Sequence, residues 1–412
     1  MSNNTNNNPK VINIFCDGTW QTEKQDVPTN ISKMYQAATD KAPDGSPQIN
    51  FYIDGIGTNG NVIKRILDGA FAYDIEELVK KAYKNLVETY NPGDRINLFG
   101  FSRGATVARM VAALVDHAGI INRDKISETN LDKFIDKAWD LYRQTGEHKD
   151  IRGKPKTEAI QEISRSAAAY RRLASHNDEH GSYESKRHIN EMLLFDTVGT
   201  LGVQDKFYSS NLVSWIWPRL GNDYFRFYDN EVPGILDGVT HLIAMDETRD
   251  LFKLSDIVND RATDTKIKKI YLRGDHGAVG GGTAEHEALS DYHGLLAVKE
   301  VKDAIGFDEN KVTELFGKAN PHATPWLTKD FAKAHNNGFL SLFVDKHIRR
   351  PPPCLSCGDG RATNTEIVVD YDSVVTLYKE VGVVSDALKG QIDALDKYKN
   401  HYIPGERDLI PA

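Results

Sequence analysis

"LFGFSRGAT", residues 98–106, holds a lone serine between two glycines where a strand pattern ends and a helix pattern begins. Before it, "RINLF" (95–99) is a short apolar, β-prone run behind the turn signal "NPGD" (91–94). After it, "ATVARMVAALV" (105–115) repeats apolar residues at helical spacing. Ser102 therefore stands at a strand-to-helix corner. With Gly100 and Gly104 two residues to either side, the stretch fits G-x-S-x-G. This is a nucleophile elbow, whose tight turn needs glycine because a Cβ would collide with the neighbouring strand and helix. The competing reading is a Ser/Gly turn that only caps the helix.

Outward from this corner, apolar β-prone runs recur at "VINIFC" (11–16), "INFYI" (49–53), "INLFGF" (96–101), "EMLLF" (191–195) and "IKKIYL" (267–272). Each stops at a polar or glycine-rich cluster: "DGTW", "DGIGT", "SRG", "DTVGTLG" and "RGDHGAVGGG". Between them lie helical patterns, notably Ile75, Leu78, Val79, Ala82, Tyr83, Leu86 and Val87, one stripe at i, i+3, i+4, i+7 spacing. Strand alternating with helix predicts an α/β fold with a mostly parallel sheet covered on both faces. Ligands bind outside the carboxyl ends of such strands, so the clusters converge on one rim.

Residues 1–10 read as a disordered lead-in, 11–300 as the core and 301–412 as a helical cap extension carrying one more β-prone run, "EIVVDY" (366–371). Residues from about 122 to 190 are too long for an ordinary crossover and read as a helical insertion able to form a cap. The aromatic stretch "KFYSSNLVSWIWPRLG" (206–221) is either core packing or an acyl-binding surface or lid.

The chain has 412 residues, 40% hydrophobic and 27% charged, with a formal charge of −8, and no apolar run long enough to cross a bilayer. That charge disfavours nonspecific attachment to nucleic acid. "MSNNTNNNPK" has neither a basic n-region nor an apolar h-region, so a cytoplasmic product without signal peptide is expected. Three cysteines, Cys16, Cys354 and Cys357, make no secreted disulfide framework. "CLSC" (354–357) would need two further ligands, His347 for example, to hold zinc; otherwise it is a loop with two thiols.

A serine hydroxyl needs a base within hydrogen-bond reach, itself held by a third group. In α/β-hydrolases the order along the chain is serine, acid, histidine, on loops after successive strands. Asp196 directly follows a buried-looking strand, where an ionised carboxylate is costly unless used, although it could merely cap the next turn. Its rivals are Asp17, Asp54 and Asp246. Of thirteen histidines, His276 follows a core strand and sits in a glycine-rich loop, which makes it the expected base. His241, in "DGVTHLIAMDETR" (237–249), is the runner-up; Asp246 and Arg249 there, at i, i+3, read as a structural pair on a helix. For the oxyanion, the amide of Arg103 is one expected donor and that of Gly18 or Thr19 the other, with Asp17 shaping their loop. "GAVGGG" lacks the spacing and the lysine of a phosphate cradle. The competing chemistry is a phosphatase built on the carboxylates of "DGTW" and "DGIGT" with a divalent ion.

"FCDGTWQ", "GFSRGATVAR", "LLFDTVGTLG", "HLIAMDETR" and "GDHGAVGGG", in this order over about residues 11–282, resemble the bacterial and fungal α/β-hydrolase domain family that includes phospholipase effectors of type VI secretion systems. The resemblance implies Ser102 as nucleophile, Asp196 as acid and His276 as base, with no cofactor and no metal. It implies a lipid ester as substrate, a soluble carboxylester being the alternative. It also implies transient contact with a membrane surface, an immunity or secretion protein as partner, and export by a type VI-like system. A fold kept only as a scaffold for such a partner is the non-catalytic alternative. The loop departs from the family pattern in having Gly277 and Ala278 where serine and aspartate follow the histidine, and Thr283 in place of an aromatic residue. Asp275, just before the histidine, compensates for that aspartate only in part.

Overall fold

The computed structural model describes residues 9–18, 27–55, 70–146, 156–176, 189–198, 233–245, 247, 254–257, 264–320, 323 and 365–369. Their strands form one seven-stranded, wholly parallel sheet in the order β2-β1-β3-β4-β5-β6-β7. These are β1 (Val11–Cys16), β2 (Gln48–Ile53), β3 (Arg95–Phe101), β4 (Ile189–Phe195), β5 (Leu236–Ala244), β6 (Lys266–Leu272) and β7 (Thr365–Val369). The helices are α1 (Asn30–Ala37), α2 (Ala70–Thr89), α3 (Arg103–Ala118), α4 (Leu131–Gly146), α5 (Lys156–Ala174), α6 (His276–Gly280), α7 (Glu287–Val301) and α8 (Glu309–Leu315).

Side chains that alternate along a strand reach opposite faces, and both faces are covered. On β1 and β3, Ile12, Ile14, Cys16, Ile96 and Leu98 join one buried cluster with α2, α3, α4 and α5. Phe15, Phe99 and Phe101 join the other, with α1, α7 and α8. The stripe on α2 is buried from Ile75 to Val87, with Leu78 packed at its margin. Burial of a large apolar side chain of this kind contributes about 1.5–3 kcal/mol.

Three expectations change. Leu236–Ala244 forms a further strand, β5, between β4 and β6, which the apolar runs read from the sequence did not include; Asp246 and Arg249, read as a pair on a helix, lie outside the described residues. The insertion helices α4 and α5 do not stand off as a cap, because Leu131, Ile135, Trp139, Tyr142 and Tyr170 are buried in the α2/α3 layer. "EIVVDY" supplies β7, which adds the last strand beside β6. The aromatic stretch 206–221, His347, Cys354 and Cys357 lie outside the described residues. No described helix is long and apolar enough to cross a membrane.

A row of amides runs across four strands. Asn13 Nδ2 donates to Asn50 Oδ1 at 2.8 Å, Asn97 Nδ2 to Asn13 Oδ1 at 2.8 Å, and Asn190 Nδ2 to Asn97 Oδ1 at 3.2 Å. The row ends on backbone carbonyls, Asn50 on Thr39 and Asn97 on Ala304. Beside it on β4, burial pushes the Glu191 carboxyl up to about 7, although Thr240 Oγ1 donates to it at 3.4 Å.

Candidate active site

β3 ends in Phe101 and α3 begins at Arg103, which leaves Ser102 to make the whole turn at φ 58°, ψ −123°. The two glycines let it do so. A Cβ on Gly100 would lie 2.5 Å from the Cα of Ala105, and one on Gly104 2.2 Å from the carbonyl oxygen of Cys16. Arg103 follows at the first position of α3, the end of a helix at which backbone N–H groups point outward.

Asp196 follows β4, the neighbour of β3, and the Ser102 amide donates to the Phe195 carbonyl at 3.0 Å. Ser102 and Asp196, φ 37°, are the two non-glycine residues with positive φ among the described residues. Such conformations cost on the order of 1–3 kcal/mol each and persist where the surroundings over-determine them. The turn at Asp196 is held by several hydrogen bonds. The Asp196 amide donates to Leu242 O at 2.7 Å and Oδ1 accepts from the Ala244 amide at 3.0 Å. The Thr197 amide reaches His241 Nε2 at 3.2 Å, and Thr197 O accepts from Ser255 N at 2.9 Å. The Val198 amide meets Ser102 O at 3.3 Å, while Thr106 Oγ1 on α3 donates to Val198 O at 2.7 Å.

His276 opens α6 just past β6, and Nδ1 lies 2.7 Å from Asp196 Oδ2. With a carboxylate against Nδ1, that nitrogen carries the proton and Nε2 is the basic face of the neutral ring. Asp275 caps α6 by accepting from the Ala278 amide at 3.0 Å. The His276 amide donates to Glu247 Oε2 at 3.2 Å, and the Phe101 ring packs against the imidazole with centroids 4.6 Å apart. A Cβ on Gly280 would come within 1.9 Å of that same phenyl ring, which explains the glycine run after the histidine. Ser102, Asp196 and His276 are all buried at the carboxyl ends of the sheet.

At the end of β1, Asp17 is buried and accepts from the Gly18 amide at 2.6 Å, from Thr29 Oγ1 at 2.6 Å and from the Tyr52 hydroxyl. Burial raises its carboxyl to about 6 against the pull of those donors. The Gly18 amide is thus taken up by Asp17 rather than presented to the rim, and Thr19 lies outside the described residues. Gly18 itself sits against the site, since a Cβ there would be 3.3 Å from Ser102 Cβ. No group of three or more potential metal ligands occurs among the described residues.

Sequence reasoning missed the supports. Thr29 and Asn30 carry no motif of their own, and Glu247, inside "HLIAMDETR", was not singled out. Asn30 Nδ2 donates to the carbonyls of Val279 and Ser290 at 2.9 Å each, which ties α1 to α6, the helix that His276 opens, and to α7. His241 is fully buried in β5 with Nε2 on the Thr197 amide, so it does not share the rim with Ser102.

Residues 10–298 match the family described as "T6SS, Phospholipase effector Tle1-like, catalytic domain". A curated relative, the uncharacterized protein YEL023C of Saccharomyces cerevisiae, is 28% identical over 255 residues, which are 58% of this chain and 32% of that protein. The chain thus spans about a third of that relative's length. Among solved structures, the Tle1 effector bound to the VgrG spike of the type 6 secretion system is 18% identical, TM-score 0.33, covering 67% of this chain and 52% of that one. An uncharacterized protein from Pseudomonas aeruginosa is 15% identical, TM-score 0.36, covering 97% and 63%. The RedJ thioesterase of Streptomyces coelicolor is 12% identical, TM-score 0.28, covering 68% and 88%. With the matched region running from β1 through most of α7, the chain belongs to the family of Tle1-like phospholipase effectors of type VI secretion, through their catalytic domain.

Proposed function

We propose that the protein is a serine hydrolase that cleaves acyl esters of phospholipids through Ser102, Asp196 and His276. The observation that carries the reading is the 2.7 Å contact between His276 Nδ1 and Asp196 Oδ2, beside a serine held at positive φ in a glycine-flanked turn. Ser102 Oγ attacks the ester carbonyl while His276 Nε2 takes its proton, and the resulting imidazolium is stabilised by the Asp196 carboxylate. The tetrahedral oxyanion is met by the Arg103 amide at the start of α3; the β1 loop is the expected source of a second donor. Each such donor contributes about 3 kcal/mol to the transition state. His276 then returns the proton to the leaving alcohol, and water hydrolyses the acyl-enzyme by the same steps in reverse roles. Family membership supports the lipid substrate, and by the same analogy the protein is secreted through a type VI spike and meets a membrane surface where it acts.

The test has two parts. A fluorophosphonate probe is expected to label the wild-type protein, to leave Ser102→Ala unlabelled and to label His276→Ala far more slowly. Purified protein mixed with phospholipid vesicles is expected to release fatty acid and lysolipid, read by mass spectrometry. An unlabelled wild type, or release of diglyceride or phosphatidate instead, would refute the acyl-enzyme.

A further inference from the structure

His241 lies in the middle of β5, opposite Leu194 of β4, with no exposed surface. A histidine in such a place needs a reason, because burial of an imidazole is costly unless its polar atoms are engaged. The reason is at Nε2, which faces the backbone amide of Thr197 at 3.2 Å. An amide can only donate, so Nε2 must be an unprotonated acceptor and the proton of the neutral ring sits on Nδ1. Nδ1 is 3.9 Å from Asp256 Oδ1, beyond hydrogen-bond reach, and makes no hydrogen bond among the described residues.

The surroundings keep the ring in that form. Burial, before any charge, drives the imidazole down to about 3; Arg109 and Lys269 add to the effect, while Asp256 and Asp196 oppose it. Asp256 is itself anchored by Lys269 Nζ at 2.8 Å, and its segment by Arg109, whose guanidinium donates to Ser255 O at 2.9 Å. Arg109 belongs to α3, the helix that begins at the elbow. Residues 255 and 256 are therefore tied to α3 and β6, and the imidazole itself is joined to the turn of Asp196 through Nε2. Thr197 is the residue after Asp196, whose left-handed φ must be maintained by its neighbours.

We propose that His241 is a positioning residue for Asp196: a permanently neutral, Nδ1-protonated imidazole that fixes the Thr197 amide and so aims Asp196 Oδ2 at His276 Nδ1. The inference deepens the hydrolase reading and rests on Asp196 being its acid. His241 touches neither substrate nor reacting atoms, and it serves through the turn that it holds.

The experiment compares wild type, His241→Gln and His241→Leu in the full chain. The glutamine carbonyl can replace Nε2 as acceptor, and leucine has similar bulk without one. With p-nitrophenyl butyrate, the leucine variant is expected to lose about 100-fold in kcat with little change in KM, the cost of a misplaced catalytic group. The glutamine variant is expected to keep most of the wild-type kcat. The far-downfield proton of the Asp196–His276 hydrogen bond should be present in wild type and glutamine variant and absent or shifted in the leucine variant. Equal impairment of the two folded variants, or an unaffected leucine variant, would overturn the proposal. A measurement that needs no variant guards against a leucine chain that does not fold. Nitrogen NMR of wild-type protein labelled at histidine should find His241 neutral with its proton on Nδ1 at pH 5, and a charged or Nε2-protonated ring there would also overturn it. Both NMR readings stand even if the protein proves not to react with fluorophosphonates, so failure of the hydrolase reading and failure of this one are told apart.

Discussion

Asp196 uses both carboxylate oxygens, one on the Ala244 amide and one on His276. Asparagine could keep the first contact through its oxygen but would turn an N–H toward the imidazole and force the proton onto Nε2. Asp196→Asn is therefore expected to lower kcat by on the order of 10⁴ while the melting temperature stays near that of the wild type, measured by ester hydrolysis and calorimetry. A loss below tenfold would mean that the carboxylate does not orient the base. The placement of Ser102, Asp196 and His276 at one rim was legible because each directly follows a strand pattern and sits in a short, distinctive cluster. Their supports were not. The sequence leaves His241 as a runner-up base and does not mark its segment as a strand, whereas the decisive fact is that β5 lies beside β4, which one-dimensional periodicity does not reveal. The engagement of the Gly18 amide by the Asp17 carboxylate is likewise a matter of side-chain direction, invisible in "DGTW".

At the scale of elements, the elbow pits two known effects against each other. Alanine in place of glycine favours a helix by about 1 kcal/mol. At Gly104, in the first turn of α3, the added Cβ would also lie 2.2 Å from Cys16 O and 2.4 Å from Asp17 O, both backbone atoms of the adjoining β1. The steric effect wins, and Gly104→Ala is expected to destabilise by roughly 2–4 kcal/mol in urea titration. An unchanged midpoint would show that α3 can slide off the sheet freely. The asparagine row is the second device. Asn97 bonds Asn13, Asn190 and Ala304 at once, so Asn97→Leu strands three polar partners in the interior. The expected cost is about 2–5 kcal/mol, again from urea titration, despite leucine's better fit to an apolar sheet. Sequence reading passed over this row because asparagine is depleted in strands and reads as an interruption. Only the alignment of Asn13 with Asn50 on one side and with Asn97 on the other turns four interruptions into one ladder.

For the whole molecule, the central question is how stability responds to pH. Burial raises Glu191 from 4.5 to about 7, so the folded protein keeps a proton that the unfolded chain begins to release near pH 4.5. The stability from this group is whole below that pH, declines as the pH rises, and is gone above about 7. Glu191→Gln, neutral throughout, should match the wild type near pH 4.5 and exceed it by roughly 2 kcal/mol at pH 8. A difference that stays flat over this range would show Glu191 to be ionised in the fold. Asp17 shifts in the same direction but is common to both proteins and cancels in the comparison. The fold class, the common rim and the five strands read from their apolar runs were all legible at this scale, because alternating strands and helices leave few arrangements open. The seventh strand's place was not, since nothing in "EIVVDY" says which edge it joins.

That place has a consequence for how the protein is made. β6, which leads into His276, is flanked by β7, and β7 comes from residues 365–369, well past the family match that ends at residue 298. A chain cut after residue 320 keeps Ser102, Asp196 and His276 but bares a row of backbone donors and acceptors along β6. Such an edge invites pairing with another chain, and the shortened protein should elute from size exclusion as oligomers and aggregates where the full chain is discrete. On the ribosome, likewise, the serine elbow emerges long before the strand beside the histidine's. The edge of the sheet that backs the histidine is thus closed only once β7 has been translated, well after all three side chains have left the ribosome.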